Sequence, residues 1–148
     1  MREKKKTLHM IGNAHIDPVW LWRWPDGFSE VKATFQSALD RMDEYDDFIF
    51  TCGCSLYYRW VEENEPEMFR RIQRRVQEGR WVLAGGWLIQ PDCNFPAGES
   101  FARQSLYGQR YFLKRFGRCA RVGYNVDSFG HNAMLPQILK KAVWTHTC

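Results

Sequence analysis

Short apolar runs alternate with longer segments in which apolar residues recur every three or four positions. Residues 8–12, 48–52, 80–84 and 121–126 are the runs, and each reads as a short buried strand. Between 28 and 45, Phe28, Val31, Phe35, Leu39 and Met42 fall on one face of a predicted helix. Segments 55–63 and 65–78 predict two more helices, the second opened by Pro66 and stopped by Gly79. A long loop over 87–97, holding Pro91, Asn94 and Pro96, precedes a helix over 99–116 closed by Gly117. A last helix is predicted over 135–142. The order βαβαβαβα implies an α/β fold of parallel strands joined by helical crossovers. Near-continuous apolar strands are expected to be covered on both faces. A closed β/α barrel takes roughly 250 residues. A chain of 148 residues is therefore either a small open sheet or the first half of a barrel.

Composition narrows the class. With 45% hydrophobic and 26% charged residues, a disordered tail, a collagen and a coiled coil are excluded. There is no repeat, low-complexity tract or linker, so one domain, or a piece of a larger one, is expected. The net charge of +4 is too mild to argue for nucleic acid. No apolar run approaches the roughly 20 residues of a membrane span. The charged start, residues 1–6, is followed by only a short apolar stretch, so no secretory signal is expected. Five cysteines at irregular spacings are a poor disulfide framework. Reduced thiols in a cytoplasmic protein fit better.

Parallel α/β folds gather functional residues at the carboxyl ends of their strands. His15 and Asp17 follow the first run, and residues i and i+2 of an extended segment point the same way. An imidazole and a carboxylate so placed suit Zn²⁺ or a related divalent ion. From the pair alone, a loop His and Asp with local hydrogen bonds is the plainer reading; the apolar strand before it and the Pro- and Trp-rich loop after it bring the site reading level. Asp127 ends the fourth run, where a buried carboxylate needs a cation or hydrogen bonds; an N-cap for the next turn is the other reading. Trp20, Trp22 and Trp24 alternate, and an extended loop would turn all three to one side. Aromatic planes beside carboxylates suit sugar rings, although a plug under the loop is the alternative for Trp22 and Trp24. Cys52 and Cys54 lack zinc-site spacing and read as structural, and Arg70, Arg71, Arg74 and Arg75 read as a solvated helix face.

Five motifs occur in one order: 14–20 (Ala-His-Ile-Asp-Pro-Val-Trp), Gly85-Gly86-Trp87, Asp92-Cys93-Asn94 with 96–100, Arg103-Gln104 with Tyr107-Gly108, and 127–131 (Asp-Ser-Phe-Gly-His). Together they resemble the N-terminal part of the catalytic domain of glycoside hydrolase family 38, the α-mannosidases. The match runs from about residue 8 to 142. After Lys141 and Ala142 the family pattern has a Gly and a further strand, from which residues 143–148 depart.

The resemblance implies zinc held by His15, Asp17 and Asp127, with Asp127 also the catalytic nucleophile. It implies that Trp20 packs on a bound mannose and that Phe129 lines the same pocket. It further implies a seven-stranded β/α barrel, of which residues 1–148 would be the N-terminal part. The general acid and a second His ligand are expected beyond residue 148. The expected function is zinc-dependent, retaining hydrolysis of α-mannosidic linkages in mannose-containing oligosaccharides. A metal-dependent carbohydrate deacetylase and an inactive truncated module are the alternatives. A half-barrel leaves strand edges open, so self-association, or contact with the remainder of an enzyme, is expected. Asp92 is the best internal substitute for the acid.

Overall fold

The computed structural model describes residues 6–144, with side chains through 142. The charged start, residues 1–5, and the divergent end with His146 and Cys148 lie outside the described residues. The elements are β1 (Gly12–Asn13), α1 (Trp24–Glu44), β2 (Phe50–Cys52), α2 (Ser55–Asn64), α3 (Pro66–Gln77), β3 (Trp81–Leu83), α4 (Gly98–Phe116) and α5 (Leu135–Trp144). The three strands form one parallel sheet in the order β1-β2-β3. Gly12 lies opposite Phe50, and Phe50 opposite Trp81.

Helix α1 starts four residues earlier than its apolar spacing predicts. Pro25 suits a first turn, and the Asp26 carboxylate accepts the Arg23 N–H at 3.3 Å. Its face of Val31, Phe35, Ala38, Leu39 and Met42 is buried as expected. That face meets Phe50, Cys52, Trp81 and Leu83 in one core shared with α2, α3 and α4. Trp81 is its centre: Phe35 crosses it edge-on at 5.0 Å, and its indole N–H donates to the Tyr58 hydroxyl at 2.9 Å. That hydroxyl donates in turn to the Cys52 carbonyl at 3.0 Å, so the ring's polar edge is satisfied. Arg71 and Arg75 of α3 reach Asp43 of α1, while Arg70 pairs with Glu67 on its own helix.

Three expectations need correction. The first strand is two residues long, and Leu8, Met10 and Ile11 are exposed. Only Gly12 and Asn13 find β partners, in β2. Second, the strands are covered on one face: Trp81 and Leu83 are buried but Val82 between them is exposed. The helices supply one common core rather than two layers. Third, residues 121–126 form no strand. They run beside β3, where Gly85 N–H donates to the Val122 carbonyl at 2.8 Å. Their ends, however, are held by side chains. The Gln109 amide bonds both backbone groups of Ala120, each at 2.9 Å. The Gln90 amide does the same to Val126. Side-chain amides thus hold the backbone of Ala120, just before the run, and of Val126, its last residue, where ladder partners would otherwise be needed.

Glycine decides how closely α4 approaches the loop after β3. A Cβ on Gly108 would lie 2.4 Å from the Gly86 carbonyl oxygen and 2.4 Å from the Trp87 carbonyl carbon. Gly86 has φ of +73°, and a Cβ there would strike the Gln109 side chain at 2.5 Å. The Gly-Gly-Trp and Tyr-Gly motifs therefore interlock. A second small core of Trp87, Cys93, Phe101 and Leu135 fastens the loop and α5 to α4.

Candidate active site at the carboxyl end of the sheet

His15, Asp17 and Asp127 come together just past the carboxyl end of β1. The His15 Nε2 atom lies 3.3 Å from Asp17 Oδ1 and 3.6 Å from Asp127 Oδ2. The three side chains are 32%, 41% and 61% exposed, so they open to solvent rather than into the core. They line one cavity of about 390 Å³ with Trp20, Gln90, Pro91, Asp92, Ser128 and Phe129. Trp20 and Phe129 are both largely exposed on its walls.

The 15–17 segment is held from three sides. Gly27 of α1 is buried, and a Cβ there would sit 2.1 Å from the Pro18 carbonyl oxygen, so the helix packs directly on the loop. Trp22 donates its indole N–H to the Asp17 carbonyl at 3.1 Å. The Tyr57 hydroxyl donates to the Ile16 carbonyl. Burial, reinforced by the nearby Cys54 thiol, pushes the Tyr57 phenol well above its ordinary range, which keeps it a donor. Asp127 has φ of +55°, a left-handed backbone that Asp tolerates better than most residues. Strained positions of this kind cluster at functional sites.

The loop carrying Asp127 is tied to residues 87–93. Asn125 Oδ1 accepts the Trp87 indole N–H at 2.9 Å, and Asn125 Nδ2 donates to Cys93 Sγ at 3.0 Å and Ser128 Oγ at 3.3 Å. Asn94 Nδ2 donates to the Phe129 carbonyl at 2.9 Å. Asp92 Oδ1 accepts the backbone N–H groups of Asn94 at 2.8 Å and Phe95 at 3.0 Å, a turn-forming task.

Two donor atoms on a tetrahedral ion with bonds of about 2.0–2.2 Å lie about 3.4 Å apart. The separations of 3.3 and 3.6 Å match that edge, and imidazole with carboxylate is a suitable donor set for zinc. They are also ordinary ion-pair distances. Among the described residues no group of three or more His, Cys, Asp or Glu is arranged to hold a metal ion. The fit therefore rests on those two edges and on the donor chemistry.

The three tryptophans do not share one side. Trp20 and Trp22 cross at 5.4 Å, while Trp24 has entered α1 and packs against Trp60 at 6.0 Å. Cys52, Cys54 and Cys93 are free, buried thiols. Burial raises the Cys52 and Cys54 thiols, which makes them inert and structural. Cys119 is disulfide-bonded, against the reduced-thiol expectation, which holds for Cys52, Cys54 and Cys93. No described helix is long and apolar enough to cross a membrane. Sequence reading missed Gly27, Tyr57 and Gln90, because each acts on the backbone of another segment, and Asn125, because it ties together side chains of the 87–93 loop and Ser128. The Gln-Pro-Asp-Cys-Asn run was the one local signal for this loop.

Carboxylates, an imidazole and exposed aromatics therefore meet past the carboxyl end of a parallel sheet. Residues 5–148 match the description "Glycosyl hydrolases family 38 N-terminal domain". Alpha-mannosidase G of Dictyostelium discoideum is 38% identical over 93% of this chain and 13% of its own length. Alpha-mannosidase 2C1 of Homo sapiens is 36% identical, again over 93% of this chain and 13% of its own length. A crystal structure of an alpha-mannosidase from Enterococcus faecalis V583 superposes with a TM-score of 0.80 at 23% identity. That overlap covers 89% of this chain and 15% of the other. The chain belongs to glycosyl hydrolase family 38 and corresponds to its N-terminal domain. It spans about an eighth of the length of these curated relatives.

Proposed function

We propose that this chain forms the nucleophile-bearing part of a retaining α-mannosidase, acting on α-mannosidic linkages in mannose-containing oligosaccharides. The observation that carries the reading is the meeting of Asp127 with His15 and Asp17 in a cavity walled by Trp20 and Phe129. Relatives named as alpha-mannosidases give the substrate class. The one-sided sheet, covered by helices from a single face, favours the β/α barrel over an open doubly wound sheet.

In this mechanism an Asp127 carboxylate oxygen attacks the anomeric carbon as its bond to the leaving oxygen breaks. The proton for the leaving oxygen is assigned to a carboxyl outside this chain, since Asp92 is occupied in forming a turn. Water then displaces Asp127 from the sugar, so that two inversions retain the configuration. The exposed faces of Trp20 and Phe129 would stack on the ring and hold it over Asp127. His15, Asp17 and Asp127 would hold the zinc ion, which when bound supplies a positive charge that orients sugar hydroxyls.

A fluorinated mannosyl fluoride tests the reading on the full-length protein. The expected result is a stable adduct on the peptide containing Asp127, absent in Asp127→Ala. A label on another residue would overturn the nucleophile assignment. Release of acetate from an acetylated sugar, without labelling, would favour a deacetylase.

A further inference from the structure

We propose that Gln90 is a positioning residue that aims Asp127. This deepens the reading of Asp127 as nucleophile and rests on it. The starting point is the missing fourth strand. With no ladder over 121–126, the peptide leading into Asp127 is not fixed by strand pairing. The Gln90 side chain does that work. Its Oε1 accepts the Val126 N–H at 3.1 Å, and its Nε2 donates to the Val126 carbonyl. One planar amide thus grips both backbone groups of the residue before Asp127, as a neighbouring peptide would in a sheet. The Val126 carbonyl belongs to the peptide plane that carries the Asp127 nitrogen. Holding it sets the direction in which the left-handed Asp127 projects its carboxylate.

The clamp is itself anchored. Gln90 N–H donates to the buried Cys54 Sγ at 3.2 Å. Ile89 N–H donates to Gln104 Oε1 at 2.9 Å, and Leu88 N–H donates to the Gln104 carbonyl at 2.9 Å. Pro91, which follows, is buried and stiff. Gln90 therefore transmits the position of α4 and of the turn before α2 to the nucleophile loop. It also lines both the inner cavity beside His15 and the outer cavity beside Asp127. The bonds of Asn125 hold the loop from the other side and do not touch the Val126 backbone.

Misplacing a reacting group by about 1 Å costs on the order of 100-fold in rate. The test uses the full-length protein with Gln90→Leu, which keeps bulk and removes both bonds, and Gln90→Glu, which keeps the acceptor toward Val126 N–H. Gln73→Leu is the control, since it loses one surface hydrogen bond to the Arg115 carbonyl far from the cavity. Three quantities are read: kcat and KM on an activated aryl α-mannoside, the rate of Asp127 labelling by a fluorinated mannosyl fluoride, and hydrogen exchange at the Val126 amide. In labelling, the Asp127 oxygen bonds the anomeric carbon as fluoride leaves.

For Gln90→Leu the expected result is a fall of about 10- to 100-fold in kcat and labelling rate. KM should stay within about threefold. Val126 exchange should be faster, and the unfolding midpoint should lie near that of Gln73→Leu. Wild-type labelling rates in both Gln90 variants, with the wild type labelled on Asp127, would overturn the clamp and leave the nucleophile reading intact. Global unfolding in both variants would also overturn it, since Gln90 would then serve folding only. A wild-type label away from Asp127 would remove the nucleophile reading and the clamp with it.

Discussion

Gly108→Ala should destabilise the protein, against the usual sign of a glycine-to-alanine change inside a helix. On an open helix the substitution favours Ala by about 0.8–1 kcal/mol. In α4 the added methyl would lie 2.4 Å from the Gly86 carbonyl oxygen, 2.4 Å from the Trp87 carbonyl carbon and 2.7 Å from the Leu88 nitrogen. All three are backbone atoms and cannot swing aside. Ordinary contact begins near 3.4 Å, so helix and loop must part by about 1 Å. That separation stretches the Leu88 N–H bond to the Gln104 carbonyl. Overpacking costs about 1–3 kcal/mol and sometimes more, and losing a buried hydrogen bond costs about 1 kcal/mol or more. After the helix gain, a net loss of about 2 kcal/mol is expected. Gly98→Ala is the comparison, because a Cβ there meets nothing within 4 Å; it should gain up to about 1 kcal/mol. Equilibrium urea unfolding of both variants beside the wild type measures the difference. A Gly108→Ala protein as stable as wild type, or a Gly98→Ala protein that loses as much, would refute the close-approach reasoning.

Gln109→Leu would leave both backbone groups of the fully buried Ala120 unpaired. The expected loss is about 2–4 kcal/mol, and an unfolding midpoint within error of wild type would dismiss the clamp. Asp127→Asn and Asp127→Ala should both abolish turnover, but Asn, which keeps one metal-capable oxygen, should retain more zinc by elemental analysis. Near wild-type turnover in Asp127→Asn would remove Asp127 from the chemistry. Burial is the largest single influence on the Asp43 carboxyl and raises it, but the hydrogen bonds and charges of Arg75 and Arg71 together outweigh it and leave it below its ordinary 3.8. Its contribution is thus complete above pH 3.8 and fades as pH falls through the lowered value. Because Asp43 is 53% exposed, Asp43→Asn should cost at most about 0.5 kcal/mol at neutral pH. A parallel pair of unfolding curves at pH 7 and pH 3 checks that the gap closes in acid.

Much of the architecture was legible along the chain because it depends on local periodicity. The helix faces of α1, α3 and α4, the stops at Gly79 and Gly117, and the parallel order of β1, β2 and β3 follow from spacing and turn chemistry. The candidate residues His15, Asp17 and Asp127 were legible as polar positions after apolar runs. What spacing could not decide was pairing. The run at 8–12 and the run at 121–126 look as strand-like as the one at 48–52. A strand exists, however, only where another backbone offers its N–H and C=O groups in register. At the end of the 121–126 run both backbone groups of Val126 are taken by the side chain of Gln90, and Gln109 takes those of Ala120 just before it, each more than ten residues away in sequence. The approach of α4 to the loop after β3 and the hold of Tyr57 on the 15–18 segment are equally non-local. Local sequence determined which segments could be helix or strand and which residues were candidates for the chemistry. Tertiary structure decided which backbone groups met, because a hydrogen bond or a 2.4 Å approach depends on two distant segments arriving together.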